Sequence, residues 1–436
     1  MTDMAFPPAK PSFGNRLFHL FIRLLMVLYT TVLRLVTWLG PRTRSPGSEG
    51  YEVLLTGTFY SQNWINAHLR PLAKSQRCAR VWVVSTFKID PVDKVVLVSP
   101  PAALVRWFGA VPARLLTFLW IGVRRRPHLV GGFHLLFNGM FALLLARLTG
   151  ARSLYFCVGG EAEILDGGIA SENRLFERLK TPDAVVERQL RRVTRQFDLI
   201  VTMGTRARSF FQANGNTGRI EVVSGGLDAH RFVPGRTSAE FDLVFVGRLA
   251  PIKRVDLFLE CVRELRRDWP GIRAAVVGDG AVRASLEAFA GELGVADAVL
   301  FVGGQPDVVS WLQRSRVFVL TSDSESLSLS LIEAMLCGLP AVVSRVGDLP
   351  DLVQDGVNGF LVTERSGAAF AAGVSALLQE PARYRAMADA ARLSAQRHEL
   401  PNCVRRWDDI LGEHAWSPPG RAVADRAPER PVAGRK

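Results

Sequence analysis

Acidic residues are scarce in the first third of the chain. Residues 1–150 hold 5 Asp and Glu against 18 Lys and Arg, whereas residues 151–436 hold 36 of each kind. The entire formal charge of +13 therefore sits in one third of the sequence. Such a local excess suits nucleic acid, an anionic membrane or a charged substrate, and carries no information about fold. Cysteine is scarce as well. Cys78, Cys157, Cys261, Cys337 and Cys403 are scattered and odd in number. They show no metal-ligand spacing, so neither a zinc site nor a disulfide framework is expected, and a reducing cytosol is. No tandem repeat is visible. Nowhere does the sequence contain two aspartates separated by one residue. What remains is ordinary globular composition over 436 residues, enough for about two domains with sizeable cores.

The most lipophilic segment is residues 17–39. At about 100° per residue, Arg16, Arg23 and Arg34 fall within roughly 20° of one another, with His19, Thr30 and Thr37 on the flank. This pattern suits a helix lying in a membrane interface with its arginines toward phosphate headgroups. A spanning helix is the alternative by length, but only Leu24 to Leu33 separate Arg23 from Arg34, and a mid-bilayer arginine costs roughly 2.5–3.5 kcal/mol. A core helix of the first domain is the third reading. Gly40-Pro41-Arg42-Thr43-Arg44 is no small-residue cleavage site, so a removed signal peptide is not expected. A second basic and aromatic stretch, residues 104–129, interleaves Arg106, Arg114 and Arg124 to Arg126 with Trp107, Phe108, Phe118 and Trp120. It suits a headgroup interface or a solvated helix face, and nucleic acid less well, because long apolar runs do not serve a phosphate-tracking groove.

Short apolar runs at 51–56, 81–85, 95–98, 154–158, 199–203 and 220–224 read as buried strands separated by helical patterns. A hinge follows at Val233-Pro234-Gly235-Arg236. Runs at 242–246, 274–277, 299–302, 317–320, 341–343 and 360–362 alternate with amphipathic stretches such as 255–266 and 283–292. Alternation of this length predicts an α/β class with doubly wound parallel sheets. The expected domains are a tail and amphipathic helix over 1–50, a first Rossmann-like domain over 51–234, and a second over 235–395. A closing helix over 396–415 returns to the first domain, and residues 416–436 form a Pro- and Arg-rich disordered tail.

Two glutamates eight residues apart carry the chemistry. Glu325 follows the run 317–320, and Glu333 lies in a helical run closed by Gly338 and Pro340. Both thus stand near the carboxyl end of a strand and the start of the next helix, where open α/β sheets bind ligands. The helix start offers backbone N–H groups to a phosphate. Upstream, Gly247, Arg248 and Lys253 follow the first strand of the second domain, where two cations can hold and neutralise a diphosphate. Gly278 and Gly303 end the next strands. They allow close backbone approach to a ligand or make tight turns. Ser330 and Glu333 also fit a helix capping box, and Glu325 fits an exposed loop acid.

These pieces, with Ala334 to Pro340 and Asp355 to Leu361, resemble the C-terminal domain of the retaining GT-B glycosyltransferases of family 4, over roughly residues 220–380. The resemblance implies a GT-B fold with two domains facing a cleft. It implies that Arg248 and Lys253 contact the donor phosphates, that Glu325 holds sugar hydroxyls and Glu333 the ribose. The backbone around Ser328 and Leu329 would cradle the diphosphate. In the first half, Gly132 to His134 resembles the family's strand-end histidine near the reacting sugar. Ser224, Gly225 and Gly226 depart from its usual Pro-Asn-Gly. The Gly-rich loop after the first strand is reduced here to Gly57, and Glu161 is a candidate for the acceptor cleft. The missing Asp-Xaa-Asp agrees with a metal-independent site without a cofactor.

The expected function is transfer of a sugar from a nucleoside-diphosphate sugar, UDP or GDP, with retention. The expected acceptor is a saccharide or a polyprenyl-diphosphate-linked one, at an anionic membrane surface on the cytoplasmic face and without nucleic acid. The rivals are a UDP-sugar epimerase or other GT-B enzyme acting without an acceptor, and a non-enzymatic basic binding module.

Overall fold

The computed structural model describes residues 13–412, apart from 42, 47, 48, 60, 61, 172 and 236–238. The expected tail at 416–436, residues 1–12 and Arg236 of the expected hinge lie outside the described residues. Seven parallel strands form the first sheet: β1 Tyr51–Thr56, β2 Cys78–Val84, β3 Val95–Val98, β4 Leu129–Phe133, β5 Arg152–Cys157, β6 Leu199–Thr202 and β7 Arg219–Val222. Their order is β3-β2-β1-β4-β5-β6-β7, with Leu55 paired to Val83 on one side and Gly131 on the other. Strand β4 is the one not expected from sequence, since its two glycines weaken the strand signal.

The second sheet has six parallel strands: β8 Phe241–Val246, β9 Ala274–Val277, β10 Val299–Gly303, β11 Ser315–Leu320, β12 Ala341–Ser344 and β13 Gly359–Val362, in the order β10-β9-β8-β11-β12-β13. Helices cover both faces of each sheet, so the strands are buried on both sides and read as continuous apolar runs. In both sheets the strand order reverses beside the first strand, at β1/β4 and at β8/β11. Those are the crevices where a ligand meets strand ends.

The domains join through two chain crossings that lie side by side. Leu227 bridges Glu399, and the His398 carbonyl accepts from the N–H groups of Gly226 at 2.8 Å and Leu227 at 3.1 Å. After the second crossing, the helix Leu400–Ile410 packs on the helix Gln62–Lys74 of the first domain. Trp407 is 1% exposed in the first domain's core, and Asp408 Oδ1 accepts from Ser75 Oγ at 2.6 Å. The last helix is therefore part of the first domain's packing.

The N-terminal helix Phe13–Leu39 lies along the first domain through Ile22, Met26 and Leu33, all buried against Leu135, Met140 and Leu143. The Tyr29 hydroxyl donates to the Met140 carbonyl at 2.9 Å. The arginine stripe divides: Arg16 and Arg34 are exposed as expected, whereas Arg23 and the flanking His19 meet protein. Arg23 Nε donates to Asp183 at 3.0 Å, and His19 Nδ1 lies 2.6 Å from the same carboxylate. Burial works against the Asp183 charge, yet His19 and Arg23 hold it below the usual carboxylate range. Asp183 also caps the helix Ala184–Thr194 by accepting from the N–H groups of Val185 and Val186. His19 and Arg23 thus face protein, while Leu17, Leu20, Phe21, Leu24, Leu28, Leu35 and Trp38 are exposed along with Arg16 and Arg34. Gly14–Leu39 is long and apolar enough to cross a membrane.

Candidate active site

The carboxyl ends of the second sheet meet the first domain around a cavity of 330 Å³. From the second domain its walls are Gly247, Arg248 and Lys253 after β8, and Glu325 to Ser330 between β11 and the next helix. From the first domain they are Trp64, His68, Val158 and Met203.

Lys253 and Glu325 form the polar centre. Lys253 Nζ lies 2.5 Å from Glu325 Oε1, and Ser322 Oγ donates to the same oxygen at 2.6 Å. The two side chains are 19% and 9% exposed, so the pair is largely removed from water. Lys253 ends a short turn, Pro251–Lys253, whose position is fixed when Thr321 Oγ1 donates to the Lys253 and Arg254 carbonyls. The Glu325 loop is fixed from behind. Gly347 has φ +53°, and a Cβ there would lie 1.5 Å from the Glu325 carbonyl oxygen. Only glycine permits this contact.

The helix Leu329–Leu336 starts at the cavity wall. Ser328 is its N-cap, with Oγ accepting from Leu331 N at 3.3 Å. The capping box suggested by Ser330 and Glu333 does not form, because Glu333 is the fifth helical residue rather than the third. Ser328 and Leu329 thus bring the positive end of a helix beside two cations.

Glu333 lines an adjoining cavity of 180 Å³ with Asn63, Asn66, Asp228 and Arg231. It is 5% exposed, and burial pushes its carboxyl up to about 8, opposed by the Arg231 guanidinium. A carboxylic acid so placed is held neutral until a hydrogen-bonding partner arrives. One helix thus serves both cavities, with Leu329 and Ser330 at its start lining the first and Glu333 lining the second.

The remaining sequence candidates do not line this cavity. Gly278 and Gly303 bond to each other, Gly278 N to the Gly303 carbonyl at 2.9 Å, and so join two strand ends. His134 follows β4 with φ +63° and sets Nδ1 3.1 Å from Glu163 Oε1. Glu163 is 1% exposed and also accepts from Gly159 N, Leu135 N and the Tyr155 hydroxyl. Burial opposes its charge, but His134 and these donors hold it below the ordinary range. Glu161 pairs with Arg206. Gly57 lines a separate cavity of the first domain and offers its carbonyl to Arg114.

His68 and Trp64 were missed by sequence reasoning. Their rings stack at 4.2 Å and 21°, and His68 Nδ1 bonds the Trp64 carbonyl at 2.8 Å. Burial pushes the imidazole down to about 4, so it is neutral at pH 7. Their spacing of four residues on one helix was the available signal. It does not separate a site wall from a core stripe.

Two Rossmann-like parallel sheets around a cleft, with cations and a helix start on one wall, define the GT-B architecture. Residues 228–394 match the family of glycosyl transferases group 1. The fold is thus GT-B, and the family match lies within its second domain. It is 34% identical over 232 residues to a D-inositol 3-phosphate glycosyltransferase of Segniliparus rotundus, covering 50% of each chain. It is 32% identical over 231 residues to a GDP-mannose-dependent alpha-(1-6)-phosphatidylinositol monomannoside mannosyltransferase of Mycolicibacterium smegmatis, covering 48% of this chain and 60% of the relative. The chain therefore spans about half the length of the relatives it matches. Among solved structures it is similar to sucrose-phosphate synthase of Thermosynechococcus elongatus, with TM-score 0.66 and 17% identity over 83% of this chain and 98% of that one. The Anabaena Alr3699/HepE protein in complex with UDP and glucose gives TM-score 0.63 at 17% identity, over 83% and 99%.

Proposed function

We propose that this protein transfers a hexose from a nucleoside-diphosphate sugar to an acceptor held by the first domain, with retention and without a metal ion. The observation that carries this reading is the cavity shared by both domains, in which Arg248, Lys253 and a helix start face Glu325. The diphosphate would sit against Ser328 and Leu329, where N–H groups and two cations supply the positive charge that a divalent metal would otherwise give. Lys253 would then turn from Glu325 to the phosphates, leaving the carboxylate to accept from sugar hydroxyls. Glu333, held neutral, is placed to bind the ribose from the adjoining cavity. Glu325 is the single carboxylate among the residues lining the main cavity. With Glu325 engaged by sugar hydroxyls, no second carboxylate of that lining is left to act as nucleophile, which supports same-face transfer over a double displacement. The HepE structures carry UDP or UDP-glucose and the M. smegmatis relative is named for GDP-mannose, which supports a UDP or GDP donor.

A lipid-linked acceptor, of polyprenyl-diphosphate or phosphoinositide type, fits the outward apolar faces of the first domain. The helices Ala102–Phe108 and Ala110–Arg125 expose Trp107, Phe108, Val111 and Trp120, with Arg106 and Arg124 among them. With Phe13–Leu39, which packs on the same helix Met140–Thr149 as Ala110–Arg125 does, they form a surface suited to lie in an anionic membrane interface. A thermal-shift panel of UDP-, GDP- and ADP-sugars, followed by product analysis with and without acceptor, tests the proposal. Turnover of a donor to an isomer without acceptor would favour an epimerase instead. The absence of any donor-dependent shift would leave only a binding module.

A further inference from the structure

Arg114, on the helix Ala110–Arg125, is 4% exposed. Its guanidinium donates to the Gly57 carbonyl and, at 2.8 Å, to Asn138 Oδ1. Both acceptors are neutral, and among the described residues no carboxylate makes an ion pair with it. Burial pushes it down to about 10. A buried cation without a counter-charge is costly, and proteins keep such groups where an anion arrives.

Arg114 is not sealed in. It forms one wall of a 240 Å³ cavity with Thr58, Ser85, Thr86, Ala110 and Val111. The helix carrying Arg114 begins at this wall, and its N-cap, Gly109, provides no side-chain cap. The positive helix end and the guanidinium therefore face the same space. Phe59 completes the wall, and its ring lies 5.6 Å from Trp64, which lines the interdomain cavity. One aromatic contact thus links the linings of the two cavities.

We propose that this cavity is an anion subsite that holds a phosphate or diphosphate group of the glycosyl acceptor against Arg114. The assignment rests on the glycosyl-transfer reading above. It places the acceptor's anionic end on one side of Phe59 and Trp64 and its reacting hydroxyl on the other. The same chemistry is met by a soluble sugar phosphate and by a lipid-linked diphosphate.

The test uses the full chain with its donor site filled by excess UDP or GDP, and inorganic pyrophosphate as the calorimetric probe. Wild type should bind the probe, and Arg114→Met should weaken it on the order of 10–100-fold. Thr86 is exposed, so Thr86→Asp sets a carboxylate in the cavity without touching the core, and it should weaken the probe comparably at an unchanged melting temperature. Undiminished affinity in Thr86→Asp, or in folded Arg114→Met, overturns the subsite. Binding of neither nucleotide overturns the transfer reading instead, and the pyrophosphate measurement then still decides whether the anion site exists. Displacement of the probe by a short polyprenyl diphosphate in detergent identifies a lipid source, and displacement by a hexose phosphate a soluble one. Displacement by neither refutes the acceptor assignment.

Discussion

Replacing Lys253 by methionine removes the charge that neutralises Glu325 and leaves that carboxylate 9% exposed with Ser322 as its remaining donor. Breaking a fully buried ion pair costs about 3–5 kcal/mol. Here the pair borders an open cavity and Ser322 persists, so about 2–3 kcal/mol is expected. Glu325→Gln keeps the Ser322 hydrogen bond and frees a lysine that can turn toward solvent, so its cost should be nearer 1 kcal/mol, an ordinary hydrogen bond. The double variant removes both charges together. It should be more stable than the summed single effects by at least about 1.5 kcal/mol, a coupling typical of residues in contact. Urea unfolding of all four proteins at pH 7.5 measures this cycle. Additivity within about 0.5 kcal/mol would refute the argument that these side chains neutralise each other in the free protein. The same variants report on the reaction. Lys253→Met should lower turnover on the order of 10²–10³-fold even where folding is complete, as loss of a preorganised charge donor does. Wild-type turnover in that variant would remove Lys253 from the chemistry while leaving its structural role intact.

Four further outcomes are expected. The folded protein holds a proton on Glu333 up to about pH 8, whereas an ordinary glutamate releases it near 4.5, so stability falls as pH rises between these values. Glu333→Gln does not titrate, and its melting temperature should match wild type at pH 4 and exceed it progressively toward pH 8, with an upper bound of roughly 5 kcal/mol. A gap independent of pH would contradict the burial argument. Gly347→Ala should abolish donor-induced thermal shifts by displacing the Glu325 loop, and a retained shift would show that the loop tolerates the displacement. Trp407→Ala should destabilise the first domain by about 3–5 kcal/mol, measured by urea unfolding, because it empties a core position filled from the far end of the chain. Paired exposed substitutions Leu24→Asp and Leu28→Asp should release the protein from anionic vesicles in a flotation assay without lowering its melting temperature. Deleting the helix is a poorer test, since Ile22, Met26 and Leu33 cover the first domain's own core.

Local pattern made much of the fold legible. Strands β1, β3 and β9 coincide with their apolar runs because buried parallel strands need continuous apolar residues and end at turn residues. Strand β4 escaped because two of its five residues are glycine, and pairing on both sides overrode their weak preference. Glu325, Lys253 and Arg248 were legible as candidates because strand ends in a doubly wound sheet fall at one edge, wherever the loops lie in sequence. That Lys253 and Glu325 bond each other was not legible, since 72 residues separate them and only sheet order makes them neighbours. The arginine stripe of the first helix was legible only in part. Helical period correctly aligned Arg23 with His19, but period does not say which members of a stripe meet protein, and Asp183 draws Arg23 inward from 160 residues away while Arg16 and Arg34 stay exposed. Arg114 was read as part of a surface, and only the packing of four chain segments makes it a buried cation at a cavity. Sequence thus determined what could be decided within one element or one strand-end loop: class, strand runs and the charges at strand ends. Tertiary structure decided partners and burial, because those depend on elements brought together from distant parts of the chain.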